Sequence, residues 1–160
     1  GDTSPFNRKY YQLAEPMNHP QPLSKPHPPI LIGGEGEKKL LNLVAKYGDA
    51  CNFQLGTSLE GYPQWYRDIY PVRIQHLSRK LGILKEHCCK VGRPYDEVEP
   101  TVLGTIKIAP GAMQPAEVID LCKGLSVIGI KQAIFNMPNV QDIEPLRIIG
   151  EEVIPAVSVF

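Results

Sequence analysis

The sequence predicts an α/β domain of four βα units with a parallel sheet. Two architectures fit: half of an eight-stranded β/α barrel, or a small doubly wound sheet. Three observations carry this. Short apolar runs alternate with amphipathic helical runs four times over. Glycine or proline sits at nearly every junction. Strands separated by helices are not hairpin neighbours and pair in parallel through right-handed crossovers.

The first unit begins after a proline-rich arm, residues 1–29, with prolines at 5, 16, 20, 22, 26, 28 and 29. Such spacing forbids a long helix, so the arm is expected to be extended, with a short strand at Lys9–Leu13. The domain proper is residues 30–160. Strand Ile30–Ile32 leads through Gly33-Gly34-Glu35-Gly36 into a helix over Glu35–Tyr47, whose apolar face is Leu40, Leu43, Val44 and Tyr47. Gly48 ends that helix. The second strand is Ala50–Gln54. A long loop from Leu55 to about Tyr70 holds Trp65, the single tryptophan, with Tyr62 and Tyr66. Loops of that length are often functional. The second helix is the clearest, with Ile74, Leu77, Leu81, Leu84, Cys88 and Val91 in steps of three and four and Gly92 at its end.

Glu97–Ala109 alternates and reads as a strand, broken by Pro110-Gly111. Pro115 suits a first helical position, and Val118, Leu121, Cys122 and Leu125 form the next apolar face. Lys131–Asn136 is the fourth strand. The last helix is expected over Asp142–Val153, with Ile143, Leu146, Ile149 and Val153 inward and Pro155 as its stop.

Composition narrows the function classes. Lys plus Arg equals Asp plus Glu at 17 each, so the net charge is zero and no basic nucleic-acid surface is expected. No apolar run is long enough to span a membrane. The chain opens Gly1-Asp2-Thr3-Ser4, with neither an initiator Met nor an apolar leader, as a tag remnant or a fragment would. Cys51, Cys88, Cys89 and Cys122 fit no zinc spacing and read as reduced structural thiols in a cytoplasmic protein. No metal site is expected.

Ligands of parallel α/β folds bind at the C-terminal ends of the strands. That rule selects Gly33, Gly34, Glu35 and Gly36, then Asn52 and Gln54, then Lys107, then Asn136. A glycine turn opening a helix bares backbone N–H groups and attracts phosphate. Glu35 would bind through its N–H with its carboxylate turned away. The turn is neither the G-x-G-x-x-G fingerprint nor a P-loop, and it equally suits a plain tight turn. His19, His27, His76 and His87 lie in the arm or on helices, the latter two as half-exposed helix residues. No residue reads as a catalytic acid, base or nucleophile.

Lys9-Tyr10-Tyr11-Gln12-Leu13, Pro26 through Gly34, and Leu43 through Asn52 together resemble the C-terminal half of the bacterial-luciferase-like superfamily, closest to its coenzyme F420-dependent oxidoreductase branch. His87-Cys88 with Val91-Gly92-Arg93, Glu99 with Thr101, and Gly150 through Pro155 resemble its later segments. The resemblance implies a β/α barrel binding F420, or FMN as the alternative. It implies that Gly33 and Gly34 help anchor the cofactor phosphate, that Glu35 and Gly36 complete the loop, and that Asn52 to Gln54 face cofactor or substrate. The activity implied is hydride transfer or monooxygenation of a small organic molecule. Proton-transfer residues of the family lie in the first half of the barrel, so this chain alone is expected to be inactive. Four strands leave two open edges, which predicts a missing N-terminal half or self-association. The rival reading is a non-catalytic half-barrel that binds a phosphorylated ligand or serves assembly.

Overall fold

A computed structural model describes residues 3–56 and 70–160. The predicted loop with Tyr62, Trp65 and Tyr66 lies outside the described residues. The arm forms a small antiparallel ribbon, β1 (Phe6–Asn7) and β2 (Gln12–Leu13), where a single strand was expected. The domain follows as β3 (Leu31–Gly33), α1 (Leu40–Tyr47), β4 (Ala50–Gly56), α2 (Tyr70–Val91), β5 (Glu99–Thr105), α3 (Pro115–Val127), β6 (Gln132–Asn136), α4 (Ile143–Ile148) and, after a π-helical turn at Ile149–Val153, α5 (Ile154–Val157). Among the described residues no helix is long and apolar enough to cross a membrane.

The four domain strands pair in parallel in the order β3-β4-β5-β6. Sequential order decides between the two expected architectures. A doubly wound sheet reverses its strand order at a switch point; this one never does, so successive crossovers of one hand lay every helix on the same face. The doubly wound alternative is therefore corrected, and the sheet is a barrel segment. Burial agrees. Cys51, Phe53 and Val102 point to the helices and are fully buried, joined there by Leu41, Leu77, Leu84 and Leu121.

The opposite face carries Leu31, Gly33, Ala50, Asn52, Gln54, Glu99, Thr101, Leu103, Thr105, Gln132, Ile134 and Asn136, matched across the ladders by register. Leu31 is 51 % and Ile134 39 % exposed. Of these residues Glu99 alone is charged, and it lies at the N-terminal end of β5, away from the glycine loop.

Several boundaries differ from expectation for identifiable reasons. α1 starts at Leu40 rather than Glu35, because the carbonyls of Glu35 and Glu37 are taken by Lys80 and His87 side chains of α2 and are withheld from helical bonding. Its buried stripe is Leu41, Val44 and Ala45, while Leu43 and Tyr47 are exposed; packing on α2 rotates the helix by one position from the expected face. β5 ends at Thr105 because its partner β6 ends at Asn136, and Ile106 N–H to the Asn136 carbonyl at 3.0 Å is the last bond of that ladder. Pro155 does not stop the last helix. It lacks the N–H for an ordinary i−4 bond, and the π turn before it absorbs that gap so that α5 continues. Pro145 and Val153 face inward there, not Ile143 and Leu146.

Cys51 and Cys88 are buried and Cys89 is exposed. Burial pushes the Cys51 thiol up to about 12, as suits a packing residue and not a nucleophile.

Candidate functional site

Gly33–Gly36 crosses the C-terminal end of the sheet at the β3 edge. Gly34 has φ +122°, a region open to glycine, and a Cβ there would lie 2.7 Å from Leu40 Cδ1. Its N–H donates to the Asn52 carbonyl at 3.0 Å and extends the ladder by one bond. The Gly34 amide is thus engaged by the sheet. The amides of Glu35 and Gly36 donate to no acceptor among the described residues. A Cβ on Gly33 would meet nothing within 4 Å.

The loop is clamped by α2, which sequence reasoning did not find. Arg73 Nη2 donates to Glu35 Oε1, and His76 Nε2 lies 3.0 Å from Glu35 Oε2. Lys80 Nζ donates to the Glu35 carbonyl at 2.9 Å and to Glu37 Oε1 at 2.7 Å. Arg79 Nη2 reaches the same Glu37 oxygen at 2.6 Å. His87 Nε2 lies 2.7 Å from the Glu37 carbonyl. Positions 73, 76, 80 and 87 make one stripe down α2, beside the apolar stripe of Leu77, Leu81, Leu84 and Cys88. That spacing was legible; its partner was not. His76 and His87 are the half-exposed helix residues expected, and they also hold the loop.

Lys80 is 7 % exposed, which is tolerable only because its ammonium is hydrogen-bonded and ion-paired. The Glu35 carboxylate is held by Gln54 N–H, Arg73 and His76. Burial opposes its ionisation, but the Arg73 and His76 hydrogen bonds outweigh that and hold its carboxyl below the ordinary value. Arg79 and then Lys80 hold the Glu37 carboxyl at about 2 against an ordinary 4.5.

A depressed carboxylate stabilises the fold above its unfolded pKa and ceases to as pH falls through the folded one. The Glu37 fastening is therefore complete above pH 4.5 and lost towards about 2. Melting temperatures measured across that window should fall further in the native protein than in Glu37→Gln, with the two converging at the acid end.

The other predicted residues are dispersed. Asn52 is spent on the sheet: Nδ2 donates to Thr101 Oγ1 at 2.7 Å, and Thr101 Oγ1 donates to the Cys51 carbonyl at 3.0 Å. Gln54 joins the loop through its backbone, its N–H reaching Glu35 Oε1 at 3.1 Å and its carbonyl accepting from Arg73 Nε at 2.7 Å. Its exposed side chain lies on the face opposite the helices. Lys107 lies beyond the end of β5, and its carbonyl accepts from Met113 N–H at 3.1 Å. Asn136 ends β6 at the opposite edge, two strands from β4. The structure brings Gly33–Gly36 and Gln54 together and leaves Asn136 apart.

Two concavities of about 640 Å³ each lie away from the glycine loop. One runs along the helix side of β6 past Leu125, Phe135 and Val153, and the other lies between the loops carrying Met113 and Asn139. Both are mainly apolar, and neither includes the free amides.

No protein-family model matches the chain, and no curated protein does. Solved structures do. An F420-dependent secondary alcohol dehydrogenase in complex with an F420-acetone adduct superposes with a TM-score of 0.64 at 16 % identity, over 96 % of this chain and 55 % of that one. The coenzyme F420 dependent tetrahydromethanopterin reductase from Methanopyrus kandleri superposes with 0.57 at 13 % identity, over 79 % of this chain and 50 % of that one. The chain spans about half the length of the structures it matches, and it shares the α/β fold of that half, four parallel strands with their helices.

Proposed function

We propose that this chain is the cofactor-phosphate-binding half of an F420-dependent oxidoreductase acting on a small organic molecule. The observation that carries the proposal is the pair of amides at Glu35 and Gly36 that donate to no acceptor among the described residues. They stand at the C-terminal end of a parallel sheet, on a loop whose own carboxylates are neutralised by α2. Such amides suit a phosphate. The open space over Gly33 admits a ligand to the backbone. The donor set therefore fits the phosphate-bearing part of F420, and of FMN as the alternative. When bound, the deazaflavin supplies the hydride chemistry, and the protein supplies position and electrostatics. In this chain Gly33, Glu35 and Gly36 hold the phosphate, Lys80 and Glu37 keep the loop in place, and Gln54 lines the adjoining sheet face.

Four further βα units complete the site. The sheet face opposite the helices leaves Leu31 and Ile134 exposed, and β3 and β6 are unpaired edges within the sheet. An N-terminal half supplies those units; self-association is the other route.

The test is an absorbance titration with reduced F420 and with FMN, on the chain alone and on the chain co-expressed with a complementary four-unit half. Saturable F420 binding that Gly36→Val abolishes supports the proposal. Binding of neither cofactor by the completed barrel overturns it in favour of a non-catalytic half-barrel.

A further inference from the structure

Glu35 sends its backbone and its side chain to different partners. Lys80 holds the carbonyl at 2.9 Å. The carboxylate enters a nest of three donors at the end of β4: Gln54 N–H at 3.1 Å, Arg73 Nη2, and the His76 Nε2 edge at 3.0 Å. Two of these donors do not depend on Glu35 for their placement. Gln54 N–H belongs to β4, and Arg73 is fixed by Nε and Nη2 both donating to the Gln54 carbonyl. A backbone amide, a guanidinium and an imidazole converging on one oxyanion is the donor set proteins use for phosphate groups. The nest is partly exposed, with side-chain exposures of 20 % at Arg73, 34 % at His76 and 21 % at Glu35.

We propose that Gln54 N–H, Arg73 and His76 form a second anion site, selective for a phosphate group, in which the Glu35 carboxylate is the resident competitor. An arriving phosphate takes the three donors, and the Glu35 side chain swings into water while Lys80 keeps its backbone in place. The neighbouring carboxylate, Glu37, stays with Arg79 and Lys80 and does not enter the nest. The free amides of Glu35 and Gly36 take no part, so this site stands or falls separately from the cofactor proposal.

The experiment is calorimetric titration of inorganic phosphate into the native chain, Glu35→Ala and Glu35→Ala/Arg73→Met. Glu35→Ala, with the competing charge gone, should bind at least about tenfold more tightly than the native chain, and the double variant should lose the gain. Equal or weaker binding by folded Glu35→Ala overturns the proposal, whatever the F420 titration gives. If Glu35→Ala fails to fold, the His76 imidazole resonances of the native chain decide. A saturable shift with added phosphate supports the site, and no shift overturns it.

Discussion

Phe53→Ala should destabilise the domain by about 3–5 kcal/mol, the usual cost of emptying a fully buried aromatic position. Phe53 is 0 % exposed at the centre of β4, a strand paired on both sides. Its ring is among the largest fully buried side chains and faces the helix layer, where the whole core lies. With one face of the sheet open, no second core shares the load. Urea unfolding followed by circular dichroism measures the loss, and a change below about 1 kcal/mol would contradict this account of the core. Phe53→Leu keeps most of the volume and should cost well under half as much.

The second large effect belongs to the glycine loop. Gly34→Val places a β-branched residue at φ +122° with its Cβ 2.7 Å from Leu40 Cδ1. The backbone strain alone costs about 1–3 kcal/mol, and Leu40, which joins the loop to α1, must shift as well. The loop then leaves the position in which Gly34 N–H meets the Asn52 carbonyl, and F420 affinity should fall by at least about tenfold. Gly33→Ala is the informative companion. Its Cβ meets nothing within 4 Å and its φ is not positive, so stability should stay within about 0.5 kcal/mol of native. If Gly33→Ala weakens F420 binding while leaving the melt unchanged, the open space over Gly33 is ligand space. If both variants melt like the native protein, the loop geometry given above is wrong.

α2 shows how far a sequence reaches. Its apolar stripe from Ile74 to Cys88 is readable because a helix repeats every 3.6 residues whatever it packs on. Arg73, His76, Lys80 and His87 obey the same period, yet their natural reading alone is a solvated face. Their partners are Glu35 and Glu37; Arg73 and Glu35 are 38 positions apart. The link exists only because the crossover from β4 lays α2 against the end of β3. The start of α1 was misplaced for the same reason, since α2 takes the carbonyls that would have opened the helix.

The chain's own local chemistry determined the number and order of βα units and the glycine turn. Alternation, helical period and the backbone limits of glycine and proline act within a few residues. Only the tertiary structure decided that the sheet is a barrel segment, because strand order is a relation among distant segments. It alone assigned Asn52 to Thr101, engaged the Gly34 amide and left those of Glu35 and Gly36 available. Each of these depends on which donor and acceptor the parallel register brings within 3 Å, and no local pattern encodes that register.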